Sequence, residues 1–311
     1  MPSQSDELLL RPLRVDDSPT VAELYARQEP DGPPLSPLAV EPRGEAEQWA
    51  AERRGELAGY GTASPAWWVA DAGIYSLEIR VEPAHYGRGV GFGLYAHLAR
   101  RLEVRGAARL LGWVRADDER SRRFAQRRGL VETGQAVQEY HLRLSQATLA
   151  PYAGVEERLR QEGLRLASLA ELSPHEAFLQ ALHRLASGED PGGGASLPGF
   201  GSWRGAVLDG PGLSPESFWV ALDAGVPVGM TFLRRLTETA AENDFTGVAP
   251  AYRGRGIAPV LKLAAIRWAR RQGVEQFFTS SELDNAAMIR INRRLGYRPG
   301  PVRREVARTL G

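Results

Sequence analysis

The segment Pro83-Ala84-His85-Tyr86-Gly87-Arg88-Gly89-Val90-Gly91 returns in the second half of the chain as Pro250-Ala251-Tyr252-Arg253-Gly254-Arg255-Gly256-Ile257-Ala258. An internal echo of this kind constrains the chain to a duplicated architecture. Each copy follows a strand-like run, Ser76 to Val81 or Asp244 to Val248, and precedes a helix of apolar period. Leu94, Leu98 and Leu102 mark the first helix; Leu261, Ala265 and Trp268 mark the second. A glycine-rich turn between strand and helix aims backbone N–H groups and the positive end of the helix dipole at one spot, which suits a phosphate. The alternative is a tight strand-to-helix turn with no ligand.

A chain of 311 residues is long enough for two domains. The expected division is 1–147 and 152–311, joined by Gln146 to Gly154 with Pro151 as breaker. The first half reads as a strand at Leu8 to Leu13 and a helix through Val21, Leu24 and Tyr25. Strands follow at Glu47 to Glu52, Glu56 to Thr62 and Tyr75 to Val81. After the loop come the Leu94 helix, ended by Gly106, a strand at Arg109 to Val114, a helix at Glu119 to Arg128 and a strand at Glu139 to Leu144. The second half repeats the order. It runs as a strand at Leu164 to Leu172, a helix at Ser173 to Ala186 capped by Ser173-Pro174, and strands at Phe218 to Asp223, Val226 to Leu233 and Asp244 to Val248. The Leu261 helix ends at Gly273, and a strand at Val274 to Thr279, a helix at Asn285 to Leu295 and a strand at Val302 to Val306 complete it. The expected class is therefore α/β with a mixed α+β sheet, written twice.

Composition narrows the chemistry. The chain has no cysteine, which removes disulfides, thiolate metal sites and cysteine nucleophiles, and its five histidines form no H-E-x-x-H pair, so no metal is expected. A net charge of +1 gives no global field toward nucleic acid. No apolar run reaches the roughly 18 residues that span a bilayer, and the first residues do not read as a leader; a soluble, cytoplasmic protein with no membrane partner is expected. Lys262 is the only lysine among 39 basic residues. Codon bias in a GC-rich genome accounts for that, and the fork of arginine matters for phosphate only at the loops.

Spacing decides what the loops resemble. G-x-G-x-x-G would need glycine at Phe92 or Leu94, and its alanine variant, Gly91, Gly93 and Ala96, has no counterpart in the second copy. The P-loop pattern is absent, since Lys262 is followed by Leu263. What fits is Q/R-x-x-G-x-G/A placed after a V-x-P strand end: Val248-Ala249-Pro250, then Arg253-Gly254-Arg255-Gly256-Ile257-Ala258. This resembles the pyrophosphate loop of the GNAT superfamily of acyl-CoA N-acyltransferases. The first copy keeps the frame Val81-Glu82-Pro83 with Arg88, Gly89 and Gly91, but Tyr86 replaces the leading arginine. The run Asn285-x-x-Met288-x-x-x-Asn292-x-x-Leu295-Gly296-Tyr297 is similar to the helix that closes the acyl-CoA cleft in tandem members of that family; Asp117, Ser121 and Phe124 before Gly129 match more loosely.

The resemblance implies two tandem GNAT-like domains and an acyl-CoA donor, most simply acetyl-CoA, serving a small-molecule amine acceptor. It places the donor in the second half on Thr246, Val248, Arg253, Gly254, Arg255, Gly256, Ile257, Ala258 and Asn285, the last of which also reads as a plain helix cap. In the first half the corresponding residues are Ile79, Val81, Tyr86, Gly87, Arg88, Gly89, Val90 and Gly91. An oxyanion contact is expected near Val248. The base is expected among Glu242 and Asp244, which strand alternation puts on one face, and Glu78 in the first half; each also reads as a solvated carboxylate. Many members place a phenol four residues before the glycine ending the closing helix, where Asn292 and Ala125 stand. The proton donor stays open among water, Tyr297, Tyr140 and residues that spacing does not reveal. These departures make the second half the expected catalytic one. A non-catalytic acyl-CoA-binding protein is the alternative, and a nucleotide-binding module a more distant one. Trp67, Trp68, Trp203 and Trp219 read either as an acceptor pocket or as core, and Ser187 to Gly201 as a lid or a plain loop.

Overall fold

The computed structural model describes residues 7–35, 46–66, 68–69, 71–188 and 198–311. They form two compact units. One contains residues 1–66, 71–136 and 301–311, the other 67–70 and 137–300.

The first unit opens with β1 (Leu9–Pro12) and α1 (Ser18–Gln28), whose Val21 and Leu24 are buried with Leu13, Ala50 and Tyr60. β2 (Glu47–Arg53), β3 (Glu56–Pro65) and β4 (Ile74–Val81) follow as antiparallel neighbours. α2 (Val90–Val104) buries Leu94, Leu98 and Leu102, the period expected of an amphipathic helix, and returns the chain to β5 (Arg109–Arg115), parallel to β4. α3 (Glu119–Gln126) and β6 (Val131–Arg143) follow.

The second unit repeats the plan with additions. α4 (Val155–Gln161), β7 (Leu164–Ser168), α5 (Leu169–Leu172), α6 (Glu176–Ala186) and α7 (Phe200–Trp203) precede β8 (Phe218–Asp223), β9 (Val226–Arg235) and β10 (Ala240–Val248). Then come α8 (Ile257–Arg271), β11 (Gln276–Glu282), which runs parallel to β10, α9 (Ala286–Leu295) and β12 (Arg298–Thr309).

The last strands are exchanged. Residues 303–309 of β12 pair antiparallel with β5, and residues 137–143 of β6 pair antiparallel with β11. The strand order is β1-β2-β3-β4-β5-β12 in the first unit and β7-β8-β9-β10-β11-β6 in the second. The compact units therefore do not follow the division at 147 and 152. Alternation along a strand fixes which face is buried, but it does not say which edge the strand covers.

Local chemistry accounts for the other differences. The strand expected at Leu164 to Leu172 stops at Ser168, whose hydroxyl accepts from the Glu171 amide (3.3 Å) while the Glu171 carboxylate accepts from the Ser168 amide (2.7 Å). That reciprocal pair starts a helix. His175, rather than Ser173, caps α6, its Nδ1 accepting from the Phe178 amide at 3.3 Å. β10 begins at Ala240, earlier than its apolar end suggests, and β11 begins at Gln276. Trp203 is core, packed with Phe218 and Phe232, and does not line an open pocket; Trp219 packs at the core margin. Trp67 and positions 189–197 of the expected lid lie outside the described residues.

Candidate functional site

In the second unit the parallel ladder between β10 and β11 is short. It joins Ala240 to Gln276, Ala241 to Phe277 and Glu242 to Phe278, and then the strands part. At the same point the register of β10 against β9 shifts between Asn243 and Phe245, so Asp244 is the extra residue of a bulge. From Phe245 to Val248 the strand pairs with β9 alone, leaving a backbone edge to which an extended, amide-bearing chain can add.

Asn243 holds the bulge in place. Its Nδ2 donates to Thr231 Oγ1 (2.9 Å) and to the carbonyls of Phe232 (3.1 Å) and Phe245 (3.2 Å), and its Oδ1 accepts from Lys262 Nζ at 2.5 Å. Thr279 Oγ1 donates to the Asn243 carbonyl (2.9 Å), spanning the point where the strands separate. Asn243, Lys262, Thr279 and Thr231 are all buried. This group was not anticipated from spacing. The available signal was a lone lysine between Leu261 and Leu263 on an apolar helix.

The loop that follows has the conformation its glycines permit. Gly254 (φ 78°) and Gly256 (φ 91°) are left-handed, and Gly256 begins α8 with no side chain capping the first amides. Gly229 stands across from Val248, where a Cβ would come within 2.9 Å of Ile257, so its absence lets α8 approach the strand. Arg253 is exposed and its Nε donates to the Val248 carbonyl at 3.2 Å. Arg255 donates to Glu162 at 2.6 Å. Asn285 caps α9 by accepting from the Met288 amide (3.0 Å).

The two carboxylates of this unit share Arg234 as neighbour, Glu242 standing opposite it in the ladder and Asp244 bonded to it, with Asn243 between them turned to Lys262. Glu242 is half-buried opposite Arg234; burial first, and then the neighbouring Asp244 charge, push its carboxyl up to about 7. Asp244 is tied to Arg234 Nε at 2.5 Å. Glu242 is thus a carboxylate with basic capacity near neutrality. Among the described residues, no group of three or more His, Asp or Glu is placed to hold a metal ion.

The first unit has the same frame and the same parting of its parallel strands, without the bulge. β4 pairs with β5 through Ile74, Tyr75 and Ser76, and its register against β3 runs unbroken from Tyr75 to Val81. Glu78 is paired with Arg80 (2.7 Å), and Arg80 with buried Glu29 (2.8 Å), which also meets Arg303 (2.9 Å). The Val81 carbonyl accepts from Gln28 Nε2 at 2.7 Å, and the Tyr86 ring lies 3.9 Å from the Arg120 guanidinium. Gly87 and Gly89 keep left-handed conformations, Arg88 is exposed and Val90 buried, but Phe124 closes on Gly91, where a Cβ would stand 3.0 Å from its ring. Ile79 is packed against the core.

The chain is similar to known acetyltransferases. The model of the acetyltransferase (GNAT) family matches residues 15–130 and 196–297. A mycothiol acetyltransferase of Nocardia farcinica is 27% identical over 289 residues, covering 90% of this chain and 89% of that protein. One from Saccharopolyspora erythraea is 28% identical, covering 78% and 79%. Among solved structures, a GCN5-related N-acetyltransferase from Sphaerobacter thermophilus superposes with a TM-score of 0.74 at 20% identity, over 99% of this chain and 97% of that one. A tandem GNAT protein from the clavulanic acid pathway gives 0.70 at 19% identity over 98% and 99%.

Proposed function

The chain belongs to the acetyltransferase (GNAT) family, and from that premise we propose that its second unit moves an acetyl group from acetyl-CoA to the primary amine of a small molecule. The observation that carries this reading is Glu242, half-buried at the start of the split, with its carboxyl pushed up to about 7. A base of that strength accepts a proton from an acceptor ammonium at neutral pH, directly or through one water. Asp244 is occupied by Arg234, and its part is to raise Glu242.

The rest of the site has the shape such a reaction requires. The pyrophosphate would lie against the amides of Gly254 to Ala258, with Arg253 supplying charge. The pantetheine amides would pair with the open edge of β10 at Thr246 and Val248. A backbone N–H beyond the bulge would face the thioester oxygen as negative charge develops on it. Asn285 caps the closing helix through its Oδ1, and its Nδ2 would donate to a pantetheine amide carbonyl.

Mycothiol acetyltransferases are among the relatives, so the deacetylated form of mycothiol belongs in the acceptor screen, beside amino sugars, polyamines and arylalkylamines. Release of CoA thiol is read with a thiol reagent, which a cysteine-free chain does not consume; acceptors that carry their own thiol are read by mass. The expected result is turnover with at least one small primary amine, with kcat lowered at least about 100-fold by Glu242→Gln. Binding of acetyl-CoA with neither transfer nor hydrolysis across the panel would overturn the proposal.

A further inference from the structure

The chain's single lysine is buried in the second unit. Lys262 projects from α8 onto the floor of the split, 2% exposed, with its Nζ against Asn243 Oδ1 (2.5 Å) and 5.3 Å from the centre of the Tyr297 ring. Asn243 is the residue at which β10 leaves β11. Across the floor, Thr279 and Ser281 follow on one face of β11, and Ser281 Oγ accepts from Asn292 Nδ2 (3.1 Å) on α9. Asn292 is fully buried, and among the described residues its Oδ1 has no hydrogen-bond partner. A polar floor therefore runs from α8 to α9 beneath the place where the two strands part.

A buried ammonium without a carboxylate is costly, and such a group in a structure needs a reason. Lys262 Nζ meets Asn243 Oδ1 from β10 and the Tyr297 ring beside β12, and Asn243 is held in turn by Thr231 from β9, Thr246 from β10 and Thr279 from β11; Glu242 and Asp244 lie instead with Arg234. None of the facing groups supplies a countercharge. The residue at the phenol position of α9 is Asn292, and an amide has no proton of suitable acidity to give. Burial pushes the hydroxyls of Tyr297 and Tyr140 up, making both weaker acids.

We propose that the Lys262 ammonium protonates the departing CoA thiolate, supplying from α8 the proton that α9 lacks the phenol to give. The step rests on the acetyl-transfer reading above. The acceptor ammonium first gives one proton to Glu242, which releases it to solvent. The neutral nitrogen then bonds to the thioester carbon and the second proton it sheds passes to Glu242; the carbon–sulfur bond breaks, sulfur keeps the electron pair, and a proton moves from Nζ to sulfur. Amide and CoA thiol leave a protonated Glu242 and a neutral Lys262, and exchange of one proton through solvent restores both. Burial alone brings the Lys262 pKa down to about 7, so the ammonium gives its proton readily to a thiolate whose own pKa is higher.

One lysine per chain makes the test direct. Protein labelled with carbon-13 at lysine gives a single side-chain ε resonance, titrated in the free protein, with CoA and with desulfo-CoA. The expected result is a titration near neutral pH that CoA shifts by at least half a unit and desulfo-CoA does not. Identical titrations with the two ligands, or a lysine that stays charged to pH 9, would overturn the assignment. Failure of both ligands to bind would instead sink the acetyl-CoA reading. Lys262→Met is the kinetic companion: kcat falls about 100-fold or more and the alkaline limb of its pH profile disappears, while the dissociation constant for acetyl-CoA stays within threefold. A loss of kcat with an unchanged pH profile would mark Lys262 as structural only.

Discussion

At the scale of single residues, the site combines two ionisable groups whose environments move them toward the same pH from opposite directions. Glu242 is raised to about 7 by burial and Asp244, and Lys262 is lowered to about 7 by burial. Both shifts oppose folding. For Lys262 the unfolded value is 10.5 and the folded one about 7, so between those pH values the unfolded chain holds the extra proton and stability rises with pH. The cost is fully present below about pH 7 and fades toward 10.5. Lys262→Met is therefore expected to melt higher than the parent, with the gap widest below pH 7 and closing as pH rises; scanning calorimetry from pH 6 to 10 checks this. A gap that did not change with pH would mean that the lysine is charged, or uncharged, throughout. Glu242 was legible in the sequence through its place before the V-x-P strand end. Lys262 was not, because an arginine-rich composition explains why lysine is rare and says nothing about where the remaining one is buried.

At the scale of elements, the contrast between β4 and β10 separates the two halves. Both leave their parallel neighbour after three paired residues, but of the two only β10 is bulged against its antiparallel partner, and the side chains that meet the two strand ends differ: Gln28 reaches the Val81 carbonyl in the first unit, and Arg253 of the loop itself reaches the Val248 carbonyl in the second. In the first unit a charged cluster centres on Glu29. Burial would raise its carboxyl, yet Arg303 and Arg80 outweigh burial and hold it below the usual range. Removing one partner leaves buried charge without compensation. Glu29→Ala is expected to destabilise the protein by about 3–5 kcal/mol in denaturant titration at neutral pH. In the parent, the contribution of Glu29 is present above its unfolded value and lost as pH falls through the lower folded one, so the difference between the two proteins should narrow in acid. A change under about 1 kcal/mol at neutral pH would show that the cluster is solvated. The loop glycines and the helix periods announced these elements, whereas the bulge did not: one extra residue in a strand leaves no mark on an alternation only nine residues long.

At the scale of the whole chain, duplication was legible and its execution was not. The repeat of loop and helix predicted two similar units, and the family match over both halves agrees. The exchange of final strands was hidden, because β6 and β12 carry the same alternating pattern whichever edge they cover. The asymmetry between the two loops, Tyr86 standing where the second copy has Arg253, extends in three dimensions to Gln28, Phe124 and Arg120 on one side and the bulged β10 on the other. On the proposed function, one of the two loops, that of the second unit, accepts acetyl-CoA. Calorimetric titration of acetyl-CoA into the parent, Ala258→Asp and Arg88→Glu tests it. Ala258 lies in the first turn of α8, where an acidic residue favours the helix but repels pyrophosphate, and Arg88 is exposed on the first loop. The parent is expected to bind one equivalent, with affinity at least tenfold weaker in Ala258→Asp and unchanged in Arg88→Glu. Two equivalents, or a loss confined to Arg88→Glu, would contradict it.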